Sequence, residues 1–284
     1  MATGNNTAHP SAVVEMPRTA VVTGGGSGMG RVVAHRLALQ GCTWIALLDQ
    51  NEAGLAAVRS FIESEDTNAD LKILTLACDV ADESSVAASF ETIHREFKRI
   101  DYAINCAGIT LPASPTDTCS TSDFDRTIAV NLRGIFLCAR EELRIMKSQP
   151  LDSEVFPGIP ALRAQRGAIV NISSGLALAA MPNSPAYCAS KAGVLALTRS
   201  DALDYAAHRI RVNAVLPGTI ETPMTHANEK MRRVIEAHAV NVMTPMKRWG
   251  QAEEIADTCI FLCSNKASFI QGVSLPVDGG YTAI

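Results

Sequence analysis

Short apolar runs along the chain alternate with segments whose apolar residues recur at a helical period. The apolar runs at 19–23, 43–48, 71–77, 102–105, 168–172, 211–216 and 273–277 read as strands. Helical patterns at 29–40, 52–63, 84–98, 122–146, 186–205 and 252–262 separate them. Most of the strand runs are continuously apolar rather than alternating, as expected when helices cover both faces of a sheet. This β–α alternation predicts a single-domain, Rossmann-like α/β fold. Its doubly wound parallel sheet has about seven strands, helices on both faces and right-handed crossovers. Such sheets bind ligands beyond the carboxyl ends of their strands, so the residues that follow each strand carry the candidate chemistry.

Two segments interrupt the rhythm. Residues 148–166 hold Pro150, Pro157 and Pro160 without a clean period, which marks a loop insertion, either a surface excursion or mobile. Residues 219–250 follow a strand end and carry Met224, Met231, Met243 and Met246. Flexible thioethers there suit an adaptable apolar substrate lid, and the plainer reading is a helical pair packed on the core.

A chain of 284 residues with 47% hydrophobic content suits one domain, here spanning 18–284. Residues 1–17 are small and polar and read as a disordered leader without the features of a signal peptide. The net charge of −4 comes from 25 basic and 29 acidic residues, interspersed, and this argues against nucleic acid or a membrane surface as partner. The eight cysteines form no Cys-x-x-Cys pair. Cys259 and Cys263, one helical turn apart, raise a metal or a disulfide but read as core thiols, like Cys42, Cys78, Cys106, Cys138 and Cys188. No metal site is therefore expected, and unpaired thiols fit a cytoplasmic protein.

The densest chemical signal is Thr23-Gly24-Gly25-Gly26-Ser27-Gly28-Met29-Gly30, set between the first strand and the first helix. A strand that turns through glycines into a helix gathers backbone N–H groups and the positive helix end at one point, which suits a pyrophosphate. Asp49 closes the second apolar run nineteen residues after Gly30, the remove at which an acid accepts hydrogen bonds from an adenosine ribose. Later in the chain Ser174 ends a strand run, and Tyr187 and Lys191 stand four apart at the start of a helix, on one face. An ammonium beside a phenol favours the phenolate, so Lys191 is expected to lower the pKa of Tyr187 while Ser174 holds a substrate oxygen.

With these residues in order, the chain resembles the short-chain dehydrogenase/reductase family over nearly its whole length. Thr23-Gly24 with Gly28 and Gly30 is similar to that family's cofactor loop, with Ser27 and Met29 inside it. Asn105-Cys106-Ala107-Gly108 resembles its Asn-Asn-Ala-Gly turn, with Cys106 in place of the second asparagine. Pro217-Gly218, Ile220 and Thr222 resemble the turn over the nicotinamide, and Val277-Asp278-Gly279-Gly280 the closing segment. The resemblance implies hydride transfer between a dinucleotide and an alcohol or ketone. It makes Tyr187 the general acid/base, Lys191 the ribose-binding residue, Ser174 the group that orients the carbonyl, and Asn131 the anchor of a relay water. The plainer reading of Asn131 is that it caps or kinks its helix. The resemblance further implies contacts to the cofactor from Asp79 and Val80, with Asp79 on the adenine amine, and a homo-oligomer, dimer or tetramer, built on the two long helices.

Asp49 without a neighbouring cation favours NAD over NADP, and Arg31, already inside the first helix, reads as a surface or packing residue. Leu176, Leu178 and Met181 after Ser174, with the methionine-bearing segment, suggest a hydrophobic cyclic substrate. The alternatives are an NADP-dependent ketoreductase, a non-catalytic dinucleotide sensor, or an epimerase, dehydratase or enoyl reductase. The spacing of Tyr187 and Lys191 disfavours the last.

Overall fold

The computed structural model describes residues 18–66, 68–156, 158–226 and 229–283. Their seven strands are β1 (Thr19–Thr23), β2 (Trp44–Asp49), β3 (Lys72–Ala77), β4 (Tyr102–Asn105), β5 (Gly167–Ile172), β6 (Ile210–Pro217) and β7 (Ser274–Val277). They form one parallel sheet in the order β3-β2-β1-β4-β5-β6-β7. The order reverses between β1 and β4, and at that switch point the loops after the two strands diverge to opposite faces and leave a crevice.

Successive side chains of β1 show why its sequence is apolar throughout. Ala20 and Val22 pack into the core shared with α1 (Gly28–Leu39), α2 (Glu52–Glu65) and α9 (Ala252–Cys263), alongside Leu37, Leu55 and Ile255. Val21 points the other way, into the core built with α3 (Glu83–Phe97) and α5 (Gly134–Ser148), alongside Phe90 and Leu137. A sheet covered on both faces leaves its strands no polar side, and period-2 alternation is lost. The eight cysteines are all free thiols, five of them buried. The leader at 1–17 and the side chain of Met231 lie outside the described residues.

Strand and helix ends fall within about two residues of the expected positions, ordinary scatter for element boundaries. A real departure occurs at 122–146, expected as one helix. It divides into α4 (Thr121–Ile128), a wide π turn over Ala129–Arg133, and α5. The turn brings the backbone onto the loop after β3: a Cβ on Gly134 would stand 2.9 Å from Val80 Cγ2. It also lets the side chain of Asn131 reach sideways to the backbone of Ile109. One extra residue in a turn leaves the helical pattern almost intact, so periodicity does not show it.

The segment at 148–166 is pinned rather than loose. It contains the short helix α6 (Asp152–Val155), whose Asp152 is fully buried. Asp152 pairs with the buried Arg18 guanidinium at 3.0 Å and accepts from Gln165 N at 3.0 Å and Asn265 Nδ2 at 3.1 Å. Arg18 in turn lies 5.0 Å from the Phe156 ring centre and 5.5 Å from that of Tyr102. Gln149 adds a stitch at the start of the segment, accepting from Ile100 N at 3.0 Å and donating to Ile100 O at 2.7 Å. Removing one partner of a buried ion pair leaves the other charge uncompensated and costs about 3–5 kcal/mol. Asp152→Ala is therefore expected to lower the unfolding free energy by that amount in urea titrations. A loss below about 1 kcal/mol, the scale of a surface pair, would show that this anchor carries no weight.

Candidate active site

The loop from Thr23 to Gly30 wraps the carboxyl end of β1 with an intimacy that only missing side chains permit. Gly24 has φ +68°, and a Cβ there would lie 2.9 Å from Ala107 N. A Cβ on Gly30 would stand 2.2 Å from Gly24 O, so α1 can start this close to the strand only with glycine at that position. Thr23 ties the two sides of the switch point together, its Oγ1 accepting from Ala107 N at 3.2 Å. Ser27 precedes α1 in extended conformation and makes no side-chain cap, which leaves the helix N-terminus to an outside acceptor.

A cavity of about 530 Å³ opens over this loop. Gly24, Ser27, Gly28, Met29 and Gly30 line it, together with Asp49, Asp79, Val80, Ala107, Gly108 and Thr222. Asp49 is held from behind by Gly26 N on Oδ2 and Asn51 N on Oδ1, both at 3.0 Å. Asp79 is likewise held by Ala81 N on Oδ1 at 2.9 Å, with Oδ2 left over. Glycine backbone at a helix start, an acid at the end of β2 and a second acid after β3 form a cradle that fits a dinucleotide.

Beside the cavity, helix α7 (Pro185–Tyr205) begins with Pro185 and places Tyr187 and Lys191 one turn apart. Lys191 is buried, donates from Nζ to Ile172 O at 2.9 Å, and stands 5.9 Å from the centre of the Tyr187 ring. Ser173 donates to Lys191 O at 2.8 Å, locking the end of β5 to the helix. Ser174 is also buried; its Oγ accepts from Leu176 N at 3.1 Å, and its hydroxyl faces the Tyr187 phenol. Asn131 grips Ile109 with both ends of its amide, accepting at 2.8 Å and donating at 2.9 Å, and donates more weakly to Ser190 Oγ at 3.4 Å. Ser190 passes the connection on to Tyr187 O at 2.8 Å. A Cβ on Gly108 would lie 3.3 Å from Asn131 Oδ1 and 3.6 Å from Lys191 Nζ, so the cavity wall and the lysine are separated by one missing methyl group.

Burial dominates the titration of this cluster. It pushes the Tyr187 phenol above its ordinary value, with Ser174 pulling the other way. It brings Lys191 down to about 8, with Cys106 opposing. The lowering of Tyr187 expected from Lys191 is thus not found. The ammonium directs its hydrogen bond at a backbone carbonyl, and burial is the largest influence on the phenol.

The other expected contacts divide by position. Asn105, Pro217 and Gly218 stand at the ends of β4 and β6, behind the cavity wall. Gly218 donates to Val277 O at 3.0 Å. Ile220 is buried in the core rather than turned to the cavity. Arg31 stacks over Phe61 with its guanidinium carbon 4.7 Å from the ring centre, the packing role expected for it. Met224, expected in the lid segment, lines the cavity; sequence reasoning missed Ile109, Arg126 and Val130 in the lining, Ser190 in the network, and Tyr281, whose Cδ1 comes within 3.4 Å of a Cβ built on Gly175. Ile109, Val130 and Ser190 are chain neighbours of Gly108, Asn131 and Lys191, whereas Arg126 and Tyr281 carry no local mark. Among the described residues no helix is long and apolar enough to cross a membrane.

Comparison with known proteins extends these observations. Residues 24–282 match the family model described as enoyl-(acyl carrier protein) reductase. Levodione reductase of Leifsonia aquatica is 36% identical over 272 residues, covering 94% of each chain. The crystal structure of levodione reductase superposes with a TM-score of 0.83 over 94% of this chain and 98% of that one. Cis-4-hydroxycyclohexanecarboxylate dehydrogenase of Sinomonas cyclohexanicum is 38% identical over 267 residues, covering 94% of this chain and 97% of its own. The 3-ketoacyl-(acyl-carrier-protein) reductase of Brucella melitensis, solved in complex with NADH, is 30% identical with a TM-score of 0.78, over 93% of this chain and 98% of that one.

The contact between Gly30 and Gly24 gives a direct test of the cradle. Gly30→Ala is expected to weaken NADH binding at least about tenfold, read by nucleotide fluorescence, because the loop must shift by about 1 Å to relieve the 2.2 Å contact. Circular dichroism should remain that of the folded protein. Unchanged affinity would place the dinucleotide elsewhere.

Proposed function

The chain belongs to the short-chain dehydrogenase/reductase family, and on that premise we propose that it moves hydride between NAD and a hydrophobic cyclic secondary alcohol or its ketone. The observation that carries this reading is a buried lysine, one helical turn from a tyrosine, placed against the glycine wall of a dinucleotide-sized cavity. A bound nicotinamide dinucleotide supplies or takes up the hydride. The protein's own groups govern the proton and the geometry.

Tyr187 is the general acid/base, giving its hydroxyl proton to a carbonyl oxygen or taking one from an alcohol. Ser174, whose hydroxyl faces Tyr187, donates to the same oxygen when substrate is bound and fixes its direction. Lys191 uses one donor on Ile172 O and keeps the others for ribose hydroxyls across Gly108. The Lys191 ammonium favours the phenolate, an effect that burial opposes in the protein alone. Asn131, by gripping Ile109, holds the strip of chain that roofs the cavity, and a relay water beside Lys191 would complete the proton's route.

The preference for NAD follows from charge. Asp49 has both oxygens tied to backbone N–H groups, which fixes a negative site where a 2′-phosphate would have to stand. Arg31 is committed to Phe61 and does not neutralise it. Asp79, Val80 and Thr222 complete the contacts along the cavity. The substrate side is apolar: Leu178 and Met181 after Ser174, and Met224 and Met243 from 219–250, all expose hydrophobic surface. In 219–250 the described chain forms α8 (Glu229–Ile235) and a π turn over Glu236–Met243, and this segment is read as a lid over the substrate. The relatives named for levodione and for a hydroxycyclohexanecarboxylate point in the same direction.

The test is NADH formation from NAD⁺ across a panel of alicyclic secondary alcohols, repeated with NADP⁺ and with Asp49→Ala. Alicyclic alcohols should be oxidised with NAD⁺ and only feebly with NADP⁺. Asp49→Ala should narrow the gap at least about tenfold, equivalent to about 1.4 kcal/mol. Wild-type turnover that prefers NADP⁺, or a gap unmoved in the variant, would overturn the cofactor assignment. Binding of NADH without turnover of any alcohol or ketone would favour a sensor.

A further inference from the structure

Behind the cavity wall lies a buried polar ladder that the proposed chemistry does not use. Glu142 on α5 is fully buried, and its Oε2 accepts from Asn105 Nδ2 at 3.1 Å. The same Nδ2 donates to Asn171 Oδ1 at 3.0 Å, and Asn171 Nδ2 donates to Thr198 Oγ1 at 3.0 Å. Two atoms of this ladder have no partner: Glu142 Oε1 and Asn105 Oδ1. They are the second oxygen of the carboxyl and the oxygen of the amide that are already joined by the first bond. Both are acceptors if Glu142 is ionised, and an ionised carboxylate with one hydrogen bond and no cation is costly to bury.

We propose that the folded protein carries Glu142 as an uncharged acid whose proton closes a cyclic pair with the Asn105 amide and so fixes the end of β4. One proton on Oε1 satisfies both orphaned atoms, because Glu142 then donates to Asn105 Oδ1 while accepting from Nδ2. Asn105 immediately precedes Cys106-Ala107-Gly108, which line the cavity, so Glu142 acts as a positioning residue for that wall.

The surroundings agree. Burial raises Glu142 to about 8, Asn105 opposes this, and Asp201 on α7 adds to it through space. Asp201 is itself raised to about 6, by burial and then Asp204. The thiols of Cys138 on α5 and Cys263 on α9, both pushed up by burial, lie near Glu142 and offer it no positive charge. From α3, Glu83 is occupied at the surface by Arg140 and Arg133. From β6, the neutral Asn213 bonds to Ile270 O. Among the described residues no cation bears on Glu142.

Glu142→Gln supplies the test, since a glutamine donates and accepts as the protonated acid does but does not titrate. A folded-state pKa raised above the unfolded value gives stability that is complete below the unfolded pKa and lost as pH rises toward about 8. Over that window the wild-type folding constant should fall about tenfold per pH unit relative to Glu142→Gln in denaturant titrations. Parallel curves for the two proteins would overturn the proposal. Should the variant fail to fold, infrared spectroscopy of the wild type decides. A carbonyl stretch of a protonated carboxylic acid that persists at neutral pH, survives Asp201→Asn and vanishes above about pH 8 supports it, and its absence at neutral pH refutes it.

Discussion

A lysine taken out of water constrains nearly every neighbour in this protein. Desolvation disfavours the Lys191 ammonium strongly enough to bring it to about 8, so its surroundings must return polar contact in a narrow space. The Ile172 carbonyl at the end of β5 does so directly. Ser173 bonds Lys191 O and holds helix and strand in register. Gly108 must lack a side chain for the cavity to reach the lysine, and Asn131 must leave its helix through a π turn to secure the neighbouring backbone. The site is therefore assembled by β4, β5, the π turn and α7 together, and the buried cation is where they meet.

The same economy of space governs the other half of the site. Parallel strands bring β1 and β4 side by side, and the glycines after β1 let its loop press against Ala107. Thr23, Asn105 and Glu142 work behind this surface: the first ties two loops, and the other two anchor a strand end. Cavity-lining residues and the residues that hold them alternate along the chain.

Legibility in the sequence followed the range of the interactions. Strands were visible because burial on both faces forces continuous apolar runs, as in Ala20-Val21-Val22. The glycine loop was visible because its constraint is local, and Tyr187 with Lys191 because a helix fixes their spacing. The pinning of 148–166 was hidden, since Arg18 and Asp152 are far apart in the chain and each reads as a surface charge. The rise of the Tyr187 pKa was hidden for a similar reason: a neighbouring ammonium can be read from spacing, but the extent of desolvation cannot. Ile220 resembled a cofactor contact in sequence, yet its side chain completes the core.

In the proposed reaction Tyr187, set beside a buried lysine, moves the proton while the cavity holds the dinucleotide. This role is tested most directly by comparing wild type and Tyr187→Phe in NAD⁺-dependent alcohol oxidation, with NADH affinity measured on both. Loss of a general acid/base lowers turnover by a factor on the order of 10²–10⁴, and removing one hydroxyl leaves the glycine cradle untouched. The expected result is that loss in kcat/KM with NADH affinity unchanged. A variant that retains more than about a tenth of wild-type turnover would contradict the account.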